Sequence, residues 1–184
     1  MTQKRQIILV VALVIFIGLM QLYANHKPQS ITPPVQHTDA VSPELLLDLT
    51  VQTVHGDQLN LQELKKAPLV FINVWATWCP PCIEEIPSLK RLHYQYQDKG
   101  FHLLGFSVDY DAVGVKDFMK KYDVSYPVVM VSDDLKKYFR NLEGVPTTLI
   151  YQKGVLVKTV VGYRDQSFFE QIIQEYLPKG AAKN

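Results

Sequence analysis

The pattern of apolar residues predicts one α/β domain that spans residues 44–178. Leu69 to Trp75 is an unbroken apolar run rich in strand formers, which is typical of a central strand buried on both faces. Apolar residues at helical spacing follow it and predict a helix from Pro80 to Lys99, with a kink at Pro87 and Gly100 as its C-terminal cap. The junction between this strand and this helix is therefore the best-defined feature of the domain.

Strands and helices alternate through the rest of the domain. Two strands at 45–54 and 58–61 should form an N-terminal hairpin. The other predicted strands are 101–108, 126–131, 147–152 and 155–161, and the other predicted helices are 113–122, 133–142 and 167–177. Ser167 and Glu170 fit a capping box for the last helix. The tight turn at Lys153-Gly154 makes the last two strands antiparallel, so we expect a mixed sheet.

The N-terminus has a different pattern, a single long apolar run. Ile7 to Ala24 contains one polar side chain, Gln21. As a helix this run would span about 27 Å, close to the ~30 Å of a membrane's hydrocarbon core. Lys4 and Arg5 precede it, so the positive-inside rule keeps residues 1–6 in the cytoplasm and sends the domain across the membrane. We expect a transmembrane signal anchor at residues 7–24, with a cleaved signal peptide as the alternative.

The segment after this run predicts a spacer. Residues 25–43 contain four prolines and no aromatic residue, which is typical of a semi-rigid linker, and residues 179–184 form a short tail. The net charge of the 184-residue chain is +1, and its basic residues are scattered. We therefore expect no nucleic-acid partner, because such proteins usually present a basic face.

The chemistry of the chain is expected at its two cysteines, Cys79 and Cys82, which share one CPPC motif. Cys79 falls at the start of the predicted helix, where unpaired N–H groups and the helix dipole stabilise a thiolate. We predict that Cys79 is the exposed nucleophile and that Cys82, one turn further, resolves the mixed disulfide. Pro80 and Pro81 lack N–H donors, so they weaken this stabilisation and favour a reducing pair.

Two other interpretations of the motif stay open. A CxxC pair can be half of a zinc site, but the chain has no second pair and its five histidines show no ligand spacing. A purely structural disulfide is also compatible with the sequence, although such a short loop would add little stability. We expect no metal and no cofactor beyond the redox-active disulfide itself.

Three further positions are candidates for the site. Trp78 flanks the sulfurs and would offer a partner an apolar surface, or it is an ordinary core aromatic. Glu85, three residues after Cys82, would accept a proton from that sulfur or raise the pKa values of the sulfurs, or it is a solvated helix residue. Pro146 opens a strand, where proline is rare, which favours a cis bond over a simple loop proline.

Together these residues resemble the thioredoxin superfamily, and within it the membrane-anchored TlpA/ResA/CcmG (DsbE) group of extracytoplasmic thiol–disulfide oxidoreductases. The resemblance spans about residues 45–177 and is carried by 74–82 (VWATWCPPC), 85–87 (EIP) and 144–147 (GVPT). It implies a thioredoxin-like fold, with a mixed central sheet flanked by helices, an N-terminal β-hairpin and a helix–strand insertion at about 111–131.

The resemblance also assigns roles to individual residues. Pro146 would be the cis-proline that faces the sulfurs, and the backbone of Val145 would pair with a bound peptide. Glu85 would match the acidic residue of the reductive members. Asn73 stands where cytosolic thioredoxins have a buried aspartate, so acid–base duty would fall to Glu85 or to water.

The function implied by this resemblance is disulfide reduction by a single-pass protein of the inner (cytoplasmic) membrane, with its catalytic domain on the periplasmic side. The implied partners are protein disulfides, with apocytochrome c and cytochrome c maturation as the typical family task, and a membrane electron donor of the DsbD or CcdA type. The alternatives are a general disulfide reductase or isomerase, a peroxidase-like enzyme, or a non-enzymatic copper-binding or chaperone module.

Overall fold

The computed structural model describes residue 13, residues 16–21 and residues 42–177. Residue 13 and residues 16–21 are helical. Among these described residues, no helix is both long enough and apolar enough to cross a membrane. Most of the anchor predicted at 7–24, residues 1–6, most of the linker and the tail lie outside the described residues.

Seven strands and four α-helices make up the domain within residues 42–177. The strands are β1 (Thr50–Gln52), β2 (Gln58–Asn60), β3 (Leu69–Trp75), β4 (Phe101–Ser107), β5 (Val128–Met130), β6 (Thr147–Gln152) and β7 (Val155–Val161). The α-helices are α1 (Pro80–Tyr96), α2 (Ala112–Tyr122), α3 (Asp133–Phe139) and α4 (Gln166–Tyr176). Short 3₁₀ helices cover Pro43–Asp48, Leu61–Lys66 and Gln97–Lys99.

Five of the strands form one mixed sheet in the order β5-β4-β3-β6-β7. β3 is parallel to β4, and β4 is parallel to β5. β6 runs antiparallel to β3, and β7 runs antiparallel to β6. β1 and β2 form a separate antiparallel hairpin. The predicted mixed sheet and N-terminal hairpin are confirmed.

The central strand β3 supplies core residues to both faces of the sheet, because successive side chains of a strand point to opposite sides. Phe71 packs into one buried cluster together with Leu89 of α1 and Phe169 of α4. Ile72 packs into a second cluster, which includes Phe139 of α3. All seven residues of β3 are buried, as its apolar run predicts. The sheet is therefore covered by helices on both faces.

The strand predicted at 45–54 is wrong in its first half. Pro43–Asp48 is a 3₁₀ helix, capped by the Ser42 hydroxyl, which accepts the Glu44 N–H at 3.3 Å. Leu46 and Leu47 are both fully buried in the second core cluster. In a strand, the side chains of these adjacent leucines would point to opposite faces. The 3₁₀ helix lets both of them pack against the sheet.

The predicted capping box of the last helix is also wrong. The N-cap of α4 is Asp165, whose carboxylate accepts the Phe168 N–H at 2.9 Å and the Ser167 hydroxyl at 2.8 Å. A carboxylate complements the positive end of the helix dipole better than a hydroxyl does. Glu170 instead accepts a hydrogen bond from the Tyr96 hydroxyl at 2.7 Å, which ties α4 to α1.

Candidate functional site

The two cysteines lie where β3 gives way to α1. Cys79 is the N-cap of α1, and its Sγ accepts the Cys82 N–H at 3.2 Å. The two residues are joined by a disulfide, with their Cα atoms 5.3 Å apart. This is the position at which first-turn N–H groups can stabilise a sulfur anion.

Cys79 is not exposed in this disulfide form, contrary to the prediction. It is 4% exposed and Cys82 is 1% exposed, because both belong to the buried cluster between the sheet and α1. The surface around the motif is formed by Trp78, which is 64% exposed, and by the two exposed prolines Pro80 and Pro81. A partner would therefore meet an apolar rim before it reaches the sulfurs.

Glu85 lies one turn after Cys82 in α1 and is only 1% exposed, so the solvated alternative does not hold. The Asn73 side chain donates to its Oε2 at 3.0 Å, and the Arg164 backbone N–H donates to its Oε1 at 3.0 Å. Asn73 also donates to the Thr148 hydroxyl at 3.0 Å. Both carboxyl oxygens are thus held by donors from other elements.

Burial is the main influence on the Glu85 carboxyl, and it raises the pKa to about 7. The hydrogen bonds from Arg164 and Asn73, and the charge of Arg164, lower the pKa and partly offset this effect. An acid with a pKa near the ambient pH can both accept and release a proton. Glu85 therefore combines a position one turn from Cys82 with a titration range suited to proton transfer.

The loop before β6 lies at the same sheet edge as the cysteine motif. The Val145–Pro146 peptide bond is cis. Thr147 pairs with Val74 in β3, which places Pro146 beside the end of the strand that leads to the cysteines. The Gly162 N–H donates to the Pro146 carbonyl at 2.8 Å, so this loop is also tied to the end of β7.

Asp109 is a site residue that was not predicted from the sequence. Its carboxylate accepts the Thr77 N–H at 2.9 Å, the Thr77 hydroxyl at 2.7 Å and the Ser107 hydroxyl at 2.7 Å. It thereby holds the loop that carries Trp78 and Cys79. The signal was available, since polar residues at the carboxyl ends of adjacent parallel strands meet at one edge of the sheet.

A groove of about 660 Å³ opens beside Trp78. Its lining includes Tyr110, which is 96% exposed, together with Met130 and Lys136. A cavity of the same volume lies against the β1–β2 hairpin and is lined by residues of that hairpin, β5 and α3. Of these two, the groove beside Trp78 is the one that includes a residue flanking a cysteine, so it is the one that concerns the site.

No group of three or more histidine, cysteine, aspartate or glutamate side chains in the described part of the chain is arranged to hold a metal ion. The Cys79–Cys82 disulfide is the redox-active candidate that the structure shows. Its chemistry is thiol–disulfide exchange, in which a thiolate attacks a disulfide sulfur and a second thiolate releases the product.

Comparisons with known proteins agree with this chemistry. A family model described as Redoxin matches residues 37–173. The chain is 30% identical over 131 residues to the thiol-disulfide oxidoreductase ResA of Bacillus subtilis (strain 168), a match that covers 71% of this chain and 70% of that protein. It is 29% identical over 132 residues to a thiol-disulfide oxidoreductase ResA of Bacillus cereus, covering 71% of this chain and 76% of that protein.

A solved structure shows the same likeness in three dimensions. The chain is similar to a thiol:disulfide interchange protein of the thioredoxin family from Chlorobium tepidum TLS, with a TM-score of 0.66 and 29% identity. The alignment covers 71% of this chain and 93% of that structure.

Proposed function

The chain belongs to the Redoxin family and to the TlpA/ResA/CcmG-like thiol–disulfide oxidoreductases of the thioredoxin superfamily, and from this premise we propose that it reduces disulfides in other proteins. The observation that carries the proposal is a disulfide at the N-terminus of α1 with a buried acid, Glu85, one turn behind it. This arrangement supplies a nucleophile, a resolving thiol and a proton acceptor.

The reaction begins from the reduced enzyme. The Cys79 thiolate attacks one sulfur of the substrate disulfide, and the other substrate sulfur leaves as a thiolate. Cys82 loses its proton to the Glu85 carboxylate and attacks Sγ of Cys79 in the mixed disulfide. The second substrate thiolate leaves, and the enzyme is left with the Cys79–Cys82 disulfide. Two electrons pass to the substrate, and Glu85 returns its proton to a departing thiolate.

The donors around Cys79 support a reducing rather than an oxidising pair. A strong oxidant depends on a highly stabilised thiolate in its reduced form. Here the Cys82 N–H donates to Sγ of Cys79, while Pro80 and Pro81 bring no N–H to the first turn of the helix. The nearby Glu85 carboxylate further disfavours a second negative charge on the sulfurs.

The apolar rim supports a polypeptide as the substrate. Trp78, Pro80 and Pro81 present exposed apolar surface next to the disulfide. Val145 precedes the cis-proline at the same edge, and by the family resemblance its backbone pairs with a bound peptide. A small disulfide such as glutathione disulfide would leave most of this surface uncovered.

The physiological setting is proposed from the family resemblance together with the N-terminal pattern. Apocytochrome c is the proposed substrate, within cytochrome c maturation, and a membrane protein of the DsbD or CcdA type is the proposed electron donor. The apolar run at 7–24, preceded by Lys4 and Arg5, supports a single-pass anchor with the domain on the periplasmic side. Protease accessibility in intact spheroplasts tests this orientation.

Insulin reduction by the full chain tests the central proposal. We expect Cys79→Ser to abolish turnover. We expect Cys82→Ser to accumulate a mixed disulfide with the substrate, visible on a non-reducing gel, because the resolving thiol is missing. Stoichiometric Cu(I) binding without any turnover by the parent protein would instead support a metal-binding module and contradict the enzyme.

A further inference from the structure

The cavity against the β1–β2 hairpin opens between two strands that start side by side. The chain just after β1 runs antiparallel to β5, and Thr53 forms a bridge with Val129. Next to this bridge, the Val54 N–H donates to the Val128 carbonyl at 2.8 Å. These contacts hold the end of β1 against the start of β5.

The two strands then separate. Continued in the same register, the pairing would next join Gln52 to Met130. The Met130 carbonyl instead accepts the Ser132 N–H at 3.0 Å, where the chain turns into α3. Gln52 and Met130 both line the cavity, whose volume of about 660 Å³ is within the range of ligand pockets in proteins.

One side of this cavity is the outer edge of β1. Along a strand, the backbone groups of successive residues point to alternate sides. The Thr53 N–H donates to the Asp57 carbonyl within the hairpin at 2.9 Å, whereas the N–H of the next residue, Val54, donates to β5. Thr50 and Gln52 alternate in step with Val54, so their backbone groups also point away from β2. Both residues are exposed and line the cavity.

The side chains around the cavity are apolar and basic. Val51 and Tyr138 are buried residues of its wall. Two lysines, Lys116 and Lys137, line it together with one acid, Asp134. Neither lysine belongs to an ion pair within residues 42–177. The charge of this lining therefore complements an acidic partner.

The cavity is continuous with the groove beside Trp78. Ala112, Met130 and Ser132 line both of them. A polypeptide whose disulfide lies at Cys79 and whose chain follows the groove would therefore reach the outer edge of β1.

We propose that the cavity between β1 and β5 binds an extended, acidic segment of the polypeptide substrate, which pairs with the outer edge of β1 as an additional strand. The inference rests on the proposed reduction of disulfides in other proteins, and it names a part of the substrate that is bound away from the disulfide. The backbone groups of Thr50 and Gln52 supply main-chain hydrogen bonds, which give such added strands their affinity. The lysines select acidic side chains at alternate positions, because alternate residues of a strand share one face.

The test uses the full-length protein and a synthetic peptide in which valine and glutamate alternate on both sides of a cysteine that is joined to glutathione. Gln52→Pro removes the N–H that points away from β2, and proline is tolerated at a strand edge where the sheet does not use that N–H. We expect the KM for this peptide to rise about fivefold, the effect of losing one hydrogen bond.

Two variants are matched controls. Gln58→Pro removes an N–H from the opposite edge of the hairpin, since Gln58 pairs with Gln52. Gln52→Ala loses the same side chain as Gln52→Pro, including its bond to the Gly56 carbonyl at 3.1 Å, but keeps the backbone N–H. Both controls should keep the KM of the parent protein. Thermal unfolding confirms that all variants fold.

The charge of the lining is tested with a second peptide, in which glutamine replaces every glutamate. The parent protein should have the lower KM for the glutamate peptide. Lys116→Gln combined with Lys137→Gln should remove this preference. Equal KM values of the parent protein for the two peptides would overturn the assignment of an acidic segment.

A version of the glutamate peptide with serine in place of cysteine separates this inference from the proposed function, because it binds without any reaction. Its addition should shift the ¹H–¹⁵N signals of the Thr50 and Gln52 amides. Unchanged signals, or an equal rise of KM in Gln52→Pro and Gln58→Pro, would overturn the inference. Failure of the parent protein to reduce any disulfide would contradict the proposed function, whereas the amide signals would still decide where the peptide binds.

Discussion

Asn73 and Glu85 form a buried pair in which the amide of β3 donates to the carboxyl of α1 at 3.0 Å. Both residues are 1% exposed. The amide has no charge of its own, so it holds the carboxyl in place without forcing it to stay ionised. The pair thus joins the central strand to the proposed proton acceptor.

Removing the Asn73 amide should lower the stability of the fold and raise the pKa of the Glu85 carboxyl. We expect Asn73→Ala to lower the free energy of unfolding by about 1–3 kcal/mol, because it leaves Glu85 Oε2 buried without this donor. The Glu85 titration midpoint should also rise, since a hydrogen bond to the ionised form is lost. Urea unfolding measures the loss of stability, and the ¹³C chemical shift of the Glu85 carboxyl, followed against pH, measures the change in its titration midpoint.

Thr148→Val is the matched control for this change. It removes the second acceptor of the Asn73 amide and leaves the bond to Glu85 in place. We expect a smaller loss of stability and little change in the Glu85 midpoint. Equal midpoints in Asn73→Ala and the parent would show that the amide does not act on the carboxyl.

The titration of Glu85 should make the stability of the oxidised protein depend on pH. Burial raises the folded-state pKa to about 7 from its ordinary value of 4.5. Between these two values the folded state binds the proton more tightly than the unfolded state, so stability falls as the pH rises. The full contribution of Glu85 to the free energy of unfolding is about 3 kcal/mol. It is present below the ordinary pKa of 4.5 and is lost above the folded-state pKa of about 7.

Urea unfolding at a series of pH values between 4 and 8 (about one unit apart) measures how the free energy of unfolding changes with pH. Glu85→Gln cannot titrate, so its stability should lack the decline that Glu85 causes. The disulfide must stay intact during the measurement, because free thiols would add their own titration. The Glu85 contribution is the difference in stability between the parent and Glu85→Gln, because His93 and His102, whose pKa values burial lowers, act in the opposite direction in both proteins. A difference that grows in favour of the parent from the lower to the upper end of this range would contradict the prediction.

The sequence predicts the framework of the site better than its buried contacts. The apolar run of β3 and the prolines after Cys79 mark a strand-to-helix junction, because strand burial and helix starts leave local patterns. The depth of burial of Glu85 leaves no such pattern, since it depends on residues from β3, β6 and the turn at Arg164 that are distant in sequence.

Two kinds of contact could not be derived from residue types. Arg164 binds Glu85 through its backbone N–H, and every residue except proline carries that group. Pro43–Asp48 forms a 3₁₀ helix because Leu46 and Leu47 pack on the same sheet face, a choice made by tertiary packing. Asp109 differs from both, since the parallel order of β3 and β4 would have pointed to it.

The three hydrogen bonds of Asp109 predict a loss of order in the loop that carries Cys79. We expect Asp109→Ala to lower the free energy of unfolding by about 1–3 kcal/mol. It should also lower kcat/KM by about tenfold for protein and small disulfides alike, because the nucleophile is held less well. Thr77→Val removes one of the three bonds and should have a smaller effect. An unaltered kcat/KM in Asp109→Ala would show that this loop needs no such anchor.

The missing N–H groups of the motif predict the direction of a change in redox potential. Pro81 is the second residue of α1, where an N–H can reach the N-cap side chain. Pro81→Ala restores that donor, so we expect a better stabilised thiolate and a potential raised by about 20 mV. Pro80→Ala is the control, since the first N–H does not reach the cap. Equilibration with glutathione measures both, and a lower potential in Pro81→Ala would contradict the explanation.

The position of Tyr110 in the groove beside Trp78 predicts that its substitution selectively lowers the affinity for polypeptide substrates. Tyr110 forms one wall of the groove and is almost fully exposed, so it adds little to the packing of the core. A polypeptide that spans the disulfide and the groove would bury this ring, whereas a small disulfide would not reach it. We expect Tyr110→Ser to raise KM for insulin by about tenfold, the typical cost of losing an aromatic contact, and to leave the reduction of glutathione disulfide unchanged. Tyr94→Ser is the control, because Tyr94 is also largely exposed, on α1, but lines a different surface. Equal effects of Tyr110→Ser on both substrates would exclude the groove as a binding surface for polypeptides.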